Sequence, residues 1–133
     1  MQALQRHRRG QRGAVSAQLV MAMPVLMLLI TASVQFAVYE HAVNVAVDAA
    51  QRGLQAARVQ GGSNVAGQTA AINDAAQLGS SILVSPTVTV TRIGNSIRVQ
   101  VHGNADAVMP GITLQVVGVA AGPVDQFSPA NGP

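Results

Sequence analysis

The sequence predicts an α+β chain: a long N-terminal transmembrane helix continuing into a stem, a second short helix and a small three-stranded antiparallel sheet. Three observations predict it. After Arg6, His7, Arg8, Arg9 and Arg12, residues 14–39 contain no ionised side chain. Beyond residue 39 apolar residues recur at helical spacing, and after Pro86 they alternate. Periods of about 3.6 and 2 mark an amphipathic helix and a half-buried strand, so the switch separates helix from sheet.

The first element is the apolar run. Residues 20–30, from Val20 through Met21, Met23, Pro24 and Met27 to Ile30, are almost purely apolar. At ~1.5 Å rise per residue, residues 14–39 reach ~39 Å as a helix, enough to cross a hydrocarbon core of ~30 Å with some tilt. Gln18, Thr31, Ser33 and Gln35 are uncharged and lie toward its two ends. Partner helices, headgroups or backbone carbonyls satisfy such groups there. Pro24 lacks an amide donor and crowds the carbonyl four residues back, so a bend is expected between residues 20 and 24. Arginines directly before such a run are held on the cytoplasmic side, which places the C-terminal part outside the cytoplasm. Residues 1–12 are polar, basic and expected to be disordered.

Composition narrows the function. With 133 residues, 49% hydrophobic and 10% charged, the chain has room for one span and one small domain. The sequence pI of 11.2 comes largely from the four arginines in the first dozen positions. The remainder carries four arginines against five acids, so no extended basic surface and no nucleic-acid partner is implied. Cysteine is absent, which removes disulfide and thiolate chemistry. Phe36, Tyr39 and Phe127 are the only aromatic residues, so the exported domain should be small and aliphatic.

The helix continues past Tyr39. Val43, Val47, Ala50, Leu54 and Ala57 follow a heptad rhythm, with Asn44, Asp48, Gln51, Arg52, Gln55 and Arg58 on the other faces. One helix over residues 15–59 follows, its outer half a stem that needs something to pack on. Asp48 and Arg52 are spaced for an ion pair along it. Gly61 and Gly62 end the helix, and Ser63 or Asn64 caps the next. Val65, Thr69, Ile72, Ala76, Gly79 and Leu83 form its stripe, with an end near residues 79–81.

Residues 87–93 and 96–102 read as alternating strands joined at Gly94-Asn95, a two-residue hairpin signal. If Ile93 faces Ser96, then Arg92 faces Ile97, Val90 faces Val99 and Val88 faces Val101. Thr87, Thr89 and Thr91 then share the opposite face with Arg98, Gln100 and His102. A third strand is expected over residues 112–120, and the Gly- and Pro-rich residues 122–133 carry no periodicity. The domain organisation is a basic cytoplasmic leader at 1–13, a transmembrane helix plus extracytoplasmic stem at 14–60, a small α+β domain at 61–121 and a flexible tail at 122–133.

The stretch Arg12-Gly13-Ala14-Val15-Ser16-Ala17-Gln18-Leu19, followed by Pro24 and the apolar run, resembles the TadE/TadG-like minor pilins, or pseudopilins, of tight-adherence (type IVc) pilus systems. So do the alanine-rich stem at residues 48–58 and the closing Ala121-Gly122-Pro123-Val124-Asp125-Gln126-Phe127. The resemblance implies a pilin-like lollipop shape and cleavage after Gly13 by a membrane-embedded prepilin peptidase, making Ala14 the mature N-terminus. It implies assembly by helix packing with other pilins and pseudopilins, on a membrane platform protein, within or above the lipid bilayer. Gln18, Pro24, Val43, Val47, Ala50 and Leu54 are the candidate assembly residues. Members commonly carry Glu where this chain has Gln18. A glutamine hydrogen-bonds but cannot neutralise a neighbouring subunit's amino terminus, which fits a specialised minor subunit.

Competing readings are a single-span envelope protein and a signal-peptide-bearing secreted module, each with an accessory or adhesive role. Against a cleaved signal, Ile30-Thr31-Ala32 is a poor small-x-small site and the apolar stretch continues to Val38. Arg8-Arg9 lacks the apolar residues that follow a twin-arginine pair. His7, His41 and His102 show no ligand spacing, so no metal or other cofactor is expected. The separated Glu40, Asp48, Asp74, Asp106 and Asp125 offer no paired-carboxylate spacing, and no nucleophile elbow is present, so no enzyme is expected.

Overall fold

The computed structural model describes residues 3–59 and 62–125. It contains helices α1 (Ala3–Arg58) and α2 (Asn64–Gly79) and strands β1 (Leu83–Ile93), β2 (Ser96–Ala105) and β3 (Leu114–Pro123). The strands form one antiparallel sheet in the order β1-β2-β3. The second half of α1 lies against β2 and β3, and α2 lies against β1 and α1, so two helices cover one face of the sheet.

Helix α1 starts earlier than expected. Residues 3–12 are helical, where the leader was expected to be disordered. Ala3, Leu4, Gln5 and the arginines are good helix formers, so propensity carries the helix into the leader. The helical assignment also runs without a break through Pro24.

Along its length α1 changes character. Its first half, from Val15 to Phe36, exposes nearly every apolar side chain. Its second half buries Ala42, Val45, Ala46, Ala49, Ala50, Leu54 and Ala57. The buried stripe therefore differs from the heptad read from the larger residues: Val43 and Val47 are only half-buried, on the flank of the contact. Alanines take the centre because the sheet comes closest there. Gly118, in the middle of β3, lies directly against the α1 backbone at Ala46 and Val47, and a Cβ at that position would overlap it.

The same substitution of small for large occurs between the helices. The face of α2 that meets the core is Gly67, Ala71, Ala75 and Gly79, whereas Val65 and Ile72 of the expected stripe are exposed. A Cβ on Gly53 would lie 2.8 Å from the Gly67 carbonyl oxygen and 2.9 Å from the Ala71 Cβ. Backbone-to-backbone approach of this kind selects residues without bulk, and hydrophobic periodicity does not register them. Ser63 is the N-cap of α2, its hydroxyl oxygen accepting from the Ala66 amide at 3.0 Å.

The hairpin has the register written from the sequence: Ile93 faces Ser96, Arg92 faces Ile97, Val90 faces Val99 and Val88 faces Val101. Gly94 has φ +58, the left-handed backbone its turn requires. β1 begins at Leu83, earlier than the expected start after Pro86. An irregularity between Val84 and Thr87 absorbs the proline, on an edge strand where a missing donor is tolerated. β3 runs to Pro123, into the segment expected as tail, because its end is fastened. The Val124 amide donates to the Asn95 carbonyl and the Asp125 amide to the Arg58 carbonyl, at 2.9 and 3.0 Å.

The core is aliphatic. Leu83, Ile97, Val99, Val101 and Val116 are its largest fully buried side chains. Each contributes ~1.5–3 kcal/mol relative to exposure, while the alanines contribute chiefly by allowing close packing. The sheet's other face carries Thr87, Thr89, Thr91, Arg98 and His102 in the open.

Two ion pairs tie the layers together. Arg52 reaches across to Asp74 of α2 at 3.8 Å, not along the helix to Asp48 as its spacing suggested, because α2 presents a carboxylate beside it. Arg58 meets Asp125 through Nε and Nη2, with contacts of 3.0 to 3.3 Å. Both pairs are partly exposed and contribute at most about 1 kcal/mol each. They fix geometry more than stability.

Candidate anchoring and assembly surfaces

The chemistry available to α1 follows from what it exposes. Over residues 15–30 its surface is Val15, Leu19, Val20, the three methionines, Val25, Leu26, Leu28, Leu29 and Ile30, all more than half exposed. Among the described residues no neighbouring element covers them. The helix is long and apolar enough to cross a membrane. Two of its hydroxyls are satisfied within the helix: Thr31 Oγ1 donates to the Met27 carbonyl at 2.9 Å and Ser33 Oγ to the Leu29 carbonyl at 2.8 Å. Internal satisfaction of this kind is what a hydrocarbon surrounding demands.

The candidate residues fall into two groups. Gly13, Gln18 and Pro24 lie exposed on the bare half of α1, and no heavy atom comes within 4 Å of a Cβ built on Gly13. Ala14 is helical, continuous with Gly13. Val43 and Val47 are half-buried on the flank of the head. Ala50 and Leu54 are 0% and 8% exposed, beneath the protein's own sheet and α2. The face they occupy is taken by the fold itself, where they seat the head on the stem.

The most connected polar group in this region is Gln35, at 5% exposure the only buried polar residue among those described. Its Oε1 accepts from the Val108 and Met109 amides at 2.7 and 3.2 Å, and its Nε2 donates to the Asp106 carbonyl at 3.3 Å. One side chain thus pins the 106–113 loop against the helix where the bare half meets the head. Residue reading placed Gln35 at the end of the span without finding its partners. The available signal was a lone amide in an apolar run, which must be satisfied by something. Among the described residues no group of three or more His, Asp or Glu side chains converges.

Known families bear on the half-bare, half-covered helix. The family model of TadE-like proteins matches residues 13–55. This segment is similar to TadE-like proteins. The match begins at Gly13, spans the whole exposed apolar half and continues through most of the alanine stripe, all within α1. The head's α2 and sheet lie outside the TadE-like segment. No curated protein and no solved structure matches the chain.

Proposed function

We propose that this protein is a minor pilin, or pseudopilin, of a tight-adherence pilus and secretion system, acting by assembly rather than catalysis. In this reading α1 anchors the chain in the cell membrane with its N-terminus cytoplasmic and its head outside. A prepilin peptidase removes residues 1–13, and the freed helix packs against other pilins and a membrane platform protein. The observation that carries the reading is the coincidence of the TadE-like match with the two-part helix: the match begins at Gly13 and covers the bare half and most of the stripe that seats the head.

The chemistry of each part is simple. Gly13 is exposed, and the helix through it must unwind locally to enter a protease. Gly10 and Gly13 each lower that cost by roughly 1 kcal/mol relative to alanine. Once cleaved, the bare half carries the Ala14 amino terminus but no ionised side chain, since Gln18 supplies only an amide. Its side chains therefore associate in lipid by close packing and hydrogen bonding, and cannot neutralise a neighbour's amino terminus.

Intact-mass measurement on the membrane-bound protein, expressed with its cognate peptidase, tests the proposal. The expected species begins at Ala14, and Gly13→Asp retains the full leader. A leader left intact on the wild-type chain would favour an unprocessed single-span envelope protein. Cleavage near Ala32 would make it a secreted module.

A further inference from the structure

The loop that Gln35 holds has a surface unlike the rest of the head. From Ala107 to Leu114 it contains no charged residue. Val108 is 43% and Ile112 37% exposed, and Pro110 and Gly111 at its tip are open. Between loop and helix runs a mainly apolar groove of about 360 Å³, lined by Ala32, Phe36, Tyr39, Met109, Ile112 and Leu114 together with Gln35. The groove and loop continue the exposed apolar surface of Leu29, Ile30, Val34 and Phe36 without a charged residue between them.

We propose that this loop is a second membrane contact, its apolar tip seated at the outer edge of the bilayer with lipid acyl chains filling the groove. The proposal rests on the reading of α1 as a span. About 33 Å of helix separates Gly13 from Gln35 at ~1.5 Å per residue, which sets Gln35 at the far boundary of a ~30 Å hydrocarbon core that begins just past the arginines. The loop is held at that depth. Its backbone is prepared for it: the Val108 and Met109 amides give their protons to Gln35, and the Ile112 amide donates to the Met109 carbonyl. Irregular backbone does not lie lipid-exposed within hydrocarbon, so the loop's backbone stays at the headgroup boundary and only its apolar side chains reach the acyl chains. Charge resumes at Glu40 on the helix and, level with Gln35, at Asp106 at the base of the loop. The Asp106 carboxylate accepts from the Ala107 amide. Lipid fits this surface better than a protein partner does. Its exposed side chains carry no charge, Thr113 and the Tyr39 hydroxyl are its few hydrogen-bonding groups, and both suit a headgroup boundary while the apolar remainder continues the belt of the span. With helix and loop both seated, the head is held at a fixed tilt rather than swivelling on one stalk.

The absence of cysteine makes the test direct. Single variants Val108→Cys, Leu26→Cys and Thr89→Cys of the full chain are labelled with an environment-sensitive fluorophore and reconstituted into phosphatidylcholine–phosphatidylglycerol vesicles. The vesicles carry nitroxide quenchers high on the acyl chain. The expected result is quenching at Val108→Cys that approaches Leu26→Cys and exceeds Thr89→Cys several-fold, and that is lost when Gln35→Leu releases the loop. Quenching at Leu26→Cys with Val108→Cys no better than Thr89→Cys would overturn the loop contact and leave the span standing. That outcome includes a loop shielded by another copy of the chain. No quenching at Leu26→Cys would remove the span itself, and the loop contact with it.

Discussion

Gly118→Val is expected to unfold the head while leaving the membrane helix in place. The intrinsic preference runs the other way, since valine suits a strand better than glycine by up to ~1 kcal/mol. Packing decides against it. A Cβ at Gly118 would overlap the backbone of α1 at Ala46 and Val47, and a helix backbone, unlike a flexible side-chain tip, cannot step aside. Separating α1 from β3 would open the layer that buries Val99, Val101, Val116 and Ala120. The loss should reach roughly 3–5 kcal/mol, comparable with the whole stability of a domain this small. Hydrogen exchange on the full chain in detergent reads it: protection of the β2 amides at Val99 and Val101 should disappear. Val119→Thr, on the open face of the same strand, should change stability by no more than about 0.5 kcal/mol. Equal protection in Gly118→Val and wild type would mean that helix and strand are not in contact.

Gly53→Val should detach α2. Replacing a helix-interior glycine by valine gains only about 0.3–0.5 kcal/mol of helix propensity. Against that, a Cβ at Gly53 meets the Gly67 carbonyl at 2.8 Å, the Ala71 Cβ at 2.9 Å and a Val99 methyl at 3.1 Å, so it is crowded from both layers at once. Overpacking should cost more than the propensity gain, for a net loss of roughly 2–3 kcal/mol. It should appear first as rapid exchange across residues 64–79, with the hairpin retained. Ala76→Val, on the exposed face of α2, is the control and should leave exchange unchanged.

These two glycines also show where sequence reading stops. The hairpin register is legible because a two-residue turn and strict alternation leave one way to put Val88, Val90, Ile97, Val99 and Val101 on the same side. The exposed half of α1 is legible because an uncharged apolar run has few other uses. The covered faces of α1 and α2 are not, since the search for a stripe follows Val43, Val47, Val65 and Ile72, while close approach of backbones selects Ala42, Ala46, Gly53, Gly67 and Ala71. Alanine and glycine carry little hydrophobic signal, so their importance emerges only when the opposing surface is known. Long-range polar partners fail for a related reason. Arg52 has a carboxylate at helical spacing, yet the fold brings Asp74 to it, and Gln35 is met by a loop more than seventy residues away. Of the candidate residues, Gly13, Gln18 and Pro24 fall on the bare half, whereas Ala50 and Leu54 belong to the interior of the head.

A single helix that is lipid-bound along residues 15–36 and a core element along 42–57 can be tested most directly by protease treatment of spheroplasts followed by alkaline extraction of their membranes. The expected result is a chain that resists alkaline extraction, with its sheet digested from outside and a membrane-embedded fragment containing residues 15–36 left behind. A folded, full-length chain released into the alkali-soluble fraction would contradict it.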